Sequence, residues 1–144
     1  MRGLKLLLSA AVTCLTLLSP AAASAAIRIA WIYFDPPGSD TTSKLNQEYV
    51  VVRDTGNHRQ SLQSWRLRDK ANHVFVFPSG FKLKAGATVR IHTGNGQDDQ
   101  NDLHWDSGWY IWNNDGDKVT LRSASGKVKD TCSYGSFASS PVNC

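Results

Sequence analysis

The chain has 144 residues, 41% of them hydrophobic, with 16 basic against 12 acidic side chains and a formal charge of +4. This length accommodates one ordinary domain able to bury a core without several covalent staples. The charge is concentrated partly in the N-terminus, so its meaning depends on what that segment is.

Met1 to Lys5 carries Arg2 and Lys5, an apolar run follows over Leu6 to Leu18, and small residues fill Pro20 to Ala26. That order is the layout of a cleavable secretory signal peptide, expected to span residues 1–25. Ala23-Ser24-Ala25 is the best cleavage match, and Ala21-Ala22-Ala23 would also serve. The apolar run falls short of the roughly 20 residues of a membrane-crossing helix, and Ser19-Pro20 follows it in place of a basic cluster. No later segment is apolar enough to span, so a secreted protein without a membrane span is expected.

Cleavage removes Arg2, Lys5 and Cys14 and leaves 14 bases against 12 acids, a formal +2 over about 119 residues. So mild a balance argues against a dedicated nucleic-acid binder. Cys14 lacks the small preceding residue of a lipid-attachment site and reads as part of the leader. Cys132 and Cys144 remain and, in an oxidising compartment, are expected to pair and tie down a Ser-rich tail over residues 135–144.

The mature sequence reads as short strands between turn signals, with no apolar period of 3.6 sustained for three turns. Ile27, Ile29 and Trp31 alternate with Arg28 and Ala30, until Asp35-Pro36-Pro37-Gly38 stops the strand. Leu45 to Arg53 contains the β-branched run Val50-Val51-Val52, suited to a central strand. In Trp65-Arg66-Leu67-Arg68-Asp69 the tryptophan and leucine should face a core while the arginines face water. Phe75 and Phe77 share a face, Phe81 and Leu83 follow, and Val89 and Ile91 alternate with Arg90.

Gly94 to Asp106 is polar and acidic and reads as the longest loop. Trp109 to Trp112 and Lys118 to Ser123 flank Asp115-Gly116, a strong hairpin signal because both central positions of a type I′ turn need positive φ. Ser125-Gly126 turns the chain into a last strand over Lys127 to Ser133. Seven or eight short strands without helical crossovers predict an all-β fold, an immunoglobulin-like antiparallel β-sandwich, with a small barrel as the alternative.

The string Glu48-Tyr49-Val50-Val51-Val52, then Leu62, Trp65-Arg66-Leu67-Arg68-Asp69 and Phe75-Val76-Phe77-Pro78, resembles the opening of the lamin tail domain. Leu83, Gly86, Val89 to Gly94 and Trp112 to Asp117 before Val119 and Leu121 continue the likeness in order and spacing. Ala85 departs from the proline usual before that glycine in the bacterial form, a difference confined to a turn. The resemblance covers nearly all of residues 26–134 and implies an immunoglobulin-like binding or tethering module. No partner-binding motif of lamin tails has a counterpart here.

Candidate sites are few. Asp98, Asp99, Asp102 and Asp106 could gather around Ca²⁺, although their spacing is not that of an EF-hand and acidic loops are usually just solvated. Asn113 to Asp117 and Gly94-Asn95-Gly96 read as turn and loop. His58, His73, His92 and His104 lie on separate segments, and chemistry would require His92, His104 and nearby aspartates to meet in space. Arg53, Arg66, Arg68, Arg90 and Arg122 could form a basic face, or stand singly on a solvated sheet. Trp31, Trp65, Trp105 and Trp112 look like core; Trp109 and Tyr110 lie outside the family pattern and are expected more to pack in the core or at an edge than to offer an exposed ring to a sugar or protein.

The expectation is therefore a monomeric, non-catalytic extracellular binding module without a cofactor. Its partner would be a protein or a cell-envelope polymer, contacted through Trp109, Tyr110, Arg66 and Arg68. A structural docking module and a small secreted hydrolase or nuclease are the alternatives.

Overall fold

A computed structural model describes residues 26–144; the expected leader lies outside the described residues. Eleven strands form two facing sheets and a small ribbon. The strands are β1 (Ile27–Tyr33), β2 (Tyr49–Asp54), β3 (Gln60–Ser61), β4 (Arg66–Arg68), β5 (Val74–Val76), β6 (Lys82–Leu83), β7 (Thr88–His92), β8 (Asp102–His104), β9 (Gly116–Arg122), β10 (Val128–Gly135) and β11 (Val142–Asn143). One sheet runs β11-β1-β2-β7-β8, the other β10-β9-β4-β5, and β3 pairs with β6. This is an immunoglobulin-like β-sandwich, as the strand pattern predicts. Among the described residues no helix is long and apolar enough to cross a membrane.

The core follows from period-two alternation on both sheets. Ile29, Val50, Val52, Val89 and Ile91 from one sheet meet Leu67, Phe75, Val119 and Leu121 from the other, and Phe77, Leu103 and Trp112 complete the cluster. In β2 all of Val50, Val51 and Val52 are buried, in the central strand of the five-stranded sheet with β1 and β7 on either side.

Five local features differ from the sequence expectation. A bulge between Ile29 and Trp31 shifts the register of β1, so Ile32 turns inward and Trp31 is only half-buried. Leu45 belongs to a 3-10 helix over Thr42–Gln47 that precedes β2.

Asp102–His104, expected within a loop, forms β8 and pairs parallel with β7, through Arg90↔Asp102, Ile91↔Leu103 and His92↔His104. Trp109 to Trp112 is not a strand. The Asp115-Gly116 turn leads instead into β9, whose partners are β10 and β4. Gly116 sits at φ 119 and a Cβ there would meet the Tyr134 carbonyl at 2.9 Å, so glycine is required by both conformation and space.

Finally, the tail closes the structure. β11 adds to the outer edge of β1, with Trp31↔Asn143 and Ile32↔Val142, and Ser140 Oγ accepts the N–H groups of Phe34 and Asp35. Cys132 and Cys144 form the expected disulfide, joining β10 of one sheet to the end of β11 on the other.

Candidate functional site

Among the described residues Glu48, just before β2, is the fully buried carboxylate with a strongly raised pKa, with 0% of its surface exposed. Its Oε1 accepts the Thr93 hydroxyl at 2.6 Å and the Ile111 and Trp112 N–H groups at 2.9 and 3.3 Å. Burial pushes its pKa up to about 7 against the lowering effect of these three donors. Glu48 therefore fastens the irregular segment 109–112 to the ends of β2 and β7. A glutamate before a strand reads as a solvated residue, and its partners lie 45 to 64 positions away, so no local signal reveals the role.

That segment presents Trp109. Ser107 Oγ donates to the Trp109 carbonyl and accepts its N–H, and the Tyr110 hydroxyl donates to the Thr41 carbonyl at 3.0 Å. Tyr110 is thus half-buried and holds the loop, while the Trp109 indole is 62% exposed. Trp31, Trp65 and Trp105 are half-buried and Trp112 is buried, so Trp109 differs from every other tryptophan. Beneath it lies an open cleft of about 240 Å³ lined by Asp40, Tyr110, Trp112, Asn113 and Asn114. The cleft offers a flat apolar ring beside a carboxylate and two amides. Phe137, on the turn after β10, is a second exposed ring in a tail that reads as small and polar.

The acidic loop is organised differently from a calcium site. Asp98 Oδ1 accepts the His104 N–H and lies 3.0 Å from His104 Nδ1. Asp99 Oδ1 accepts the N–H groups of Asn101 and Asp102, and these bonds hold its carboxyl below its usual range. Asp102 Oδ1 lies 2.8 Å from His92 Nε2, and Asp106 stands at φ 59. Each of the first three carboxylates is turned to its own donor, which keeps like charges apart. Among the described residues no group of three or more His, Cys, Asp or Glu is placed to hold a metal ion, so the Ca²⁺ expectation finds no supporting geometry.

His92 and His104 do meet, with rings stacked at 5.3 Å. Both nitrogens of His92 are engaged, one by Asp102 and the other by the Asn46 carbonyl at 2.7 Å. His104 Nε2 packs against Gly96. Among the described residues no hydroxyl or thiol is hydrogen-bonded to either ring, and the pair acts as a clasp holding β8 against β7. Gly96→Ala should therefore cost about 1–3 kcal/mol, because its Cβ would collide with the His104 ring. Hydrogen exchange should show the loss concentrated in Asp102 to His104; uniform destabilisation would contradict the clasp.

The arginines divide between the sheets. Arg90 lies 3.6 Å from Asp102 and Arg28 3.6 Å from Asp130, while Arg53 is exposed on β2, opposite Arg28. Arg66, Arg68 and Arg122 instead converge on the outward face of the four-stranded sheet.

An immunoglobulin-like sandwich with an aromatic cleft at one end of its loops is the class of protein these features define. The lamin tail domain pattern matches residues 20–136, and the chain belongs to the lamin tail domain family. Among curated proteins none matches the chain.

Proposed function

We propose that this domain is a non-catalytic binding and tethering module acting outside the cell, and that it engages its ligand through Trp109 and the cleft beneath it. The observation carrying this reading is the exposed indole, held in place by Ser107, Tyr110 and, through the backbone of 111–112, by Glu48. A large aromatic ring held out from the surface by its own loop is suited to anchoring a ligand. The extracellular setting is supported by the disulfide and by the leader-like N-terminus.

Trp109→Ala should leave stability within about 0.5 kcal/mol of the parent, since the ring is mostly exposed. It should abolish retention on a glycan array or on an envelope fraction that captures the parent. Equal capture by parent and variant would remove the cleft from the contact surface. Docking by strand addition is the second reading, favoured by the edge strand β5, where Val74 and Val76 are 43% and 50% exposed. A charge placed at Val76 would abolish such docking and leave the Trp109 cleft intact.

A further inference from the structure

We propose that the outward face of the four-stranded sheet binds a linear, base-free phosphodiester polymer. The inference takes the domain as a binding module but uses a face whose cations do not line the Trp109 cleft, so each can fail without the other.

The register builds the face. Across the sheet one outward row reads Val128, Arg122, Arg66, Val76, and the next reads Thr131, Thr120, Arg68, Val74. Lys118 points outward two residues before Thr120, and Lys70 follows the end of β4 beside it, its N–H donated to Asp117. Arg66 and Arg122 are directly opposed, a placement that repels when both are charged. Among the described residues none of Arg66, Arg68, Arg122, Lys70 and Lys118 has a carboxylate within ion-pair distance.

The acids of these strands are turned away from the face. Asp69 and Asp117 are both 3% exposed. Asp69 accepts from His73, while Asp117 accepts the N–H groups of Lys70, Asn113 and Lys118. Asp130 accepts the Ile29 N–H on the far edge. Asp115, in the turn before β9, is the acid at the border. The mature charge of +2 thus conceals a segregated distribution, with cations outward and anions inward.

Repulsion without an internal carboxylate points to an external partner carrying negative charge. The pleat spaces the cations by roughly 5 Å between strands and roughly 7 Å along β4. A single anion can engage only one or two of them, whereas a chain of repeated anions can engage the row. Arg122 Nη1 is already fixed on the Gly126 carbonyl, so one member of the row is preorganised. Beyond these rows, at the Lys118 end of the face, lies a hollow of about 430 Å³ lined by Lys70, Lys118, Ser133 and Tyr134 together with Asp115 and Asp117, so an anionic chain would run along the arginine rows and stop short of it.

Nucleic acid suits the face less well. The exposed aromatics Trp109 and Phe137 lie in loops outside these strands, so the face provides no stacking platform for single-stranded bases. A flat pleated surface also lacks an element that could enter a duplex groove.

The test is binding of the disulfide-bonded protein to poly(glycerol phosphate). Single-stranded and duplex DNA of matched phosphate number, phosphatidylglycerol vesicles and polyglutamate serve as alternatives. Binding is expected at low salt and should weaken with added salt. Arg66→Ser/Arg68→Ser should reduce affinity at least about tenfold and flatten the log–log salt slope by about 1 to 2. A charge-matched Arg53→Ser/Lys84→Ser variant on exposed positions elsewhere should bind as the parent does. Failure to bind at low salt, equal weakening by the two double variants, or preference for DNA, vesicles or polyglutamate would each overturn the proposal. Because all four substituted side chains lie at the surface, thermal melts establish that every variant is folded before binding is read.

Discussion

Glu48→Gln should make the domain more stable than the parent at neutral and alkaline pH, with the advantage disappearing in acid. In the unfolded chain Glu48 ionises near 4.5, whereas in the folded domain burial holds its proton to about 7. A raised folded pKa means that the favourable contribution is complete below 4.5 and declines as pH rises to about 7, where the buried group must ionise. At about 1.4 kcal/mol per pKa unit the contribution changes by about 3 kcal/mol across that window. Glutamine keeps an oxygen to accept from Thr93, Ile111 and Trp112 and carries no charge. Urea unfolding from about pH 4 to about pH 8 should show the difference between variant and parent growing by that amount. A constant difference across the range would mean that Glu48 is already ionised when folded. Glu48→Ala, by contrast, leaves three donors without their acceptor and should be destabilising at every pH.

Opening the Cys132–Cys144 bond is the second large effect. The bond closes a loop with a sequence separation of 12, and chain entropy sets its contribution at about 3 kcal/mol. Cys144→Ser is the cleaner variant, because Cys144 is exposed while Cys132 is buried and can remain as a small apolar group. Its melting temperature should fall by about 10 °C. Hydrogen exchange should accelerate first at β11 and at the Phe34 and Asp35 amides that Ser140 accepts. If those amides stay protected, strand pairing alone holds the tail and the covalent link matters little.

Much of the fold was legible because β4, β5 and β7 alternate buried with exposed residues and β2 carries a β-branched run. β2, β4 and β7 carry their apolar residues in a pattern that no loop reproduces, and the lamin tail likeness placed them in one sandwich. β8 was hidden because an edge strand of three residues buries only Leu103 between Asp102 and His104, which makes it resemble solvated loop. Ala30 gives no sign of the bulge that moves Ile32 inward. Asp115-Gly116 did mark a turn, but only Gly116 of the pair has positive φ and the type I′ hairpin inferred from it failed: the N–H groups of the preceding segment donate to Glu48 rather than pairing with β9.

The candidate sites divide along the same line. Exposure of Trp109 ran against the strand expected over Trp109 to Trp112, because that segment is irregular and turns the ring outward, while the Tyr110 hydroxyl is bonded to the Thr41 carbonyl. The histidines lie far apart in sequence, and only the parallel register of β7 and β8 stacks His92 on His104. Net charge averaged over two sheets gave no hint that Arg66 and Arg122 stand side by side. Such juxtapositions depend on which strands are neighbours, and that information is carried by long-range pairing.

The position of β11 bears on how the protein behaves when it is crowded with copies of itself. β1 reads Ile-Arg-Ile-Ala-Trp-Ile-Tyr, a β-prone segment whose outer edge is covered by the tail. If the tail were released, the unpaired amides of Trp31 to Tyr33 would become a template for strand addition by another chain. The disulfide therefore guards solubility as well as stability, and protein accumulated in a reducing environment should aggregate through β1 before its core has melted.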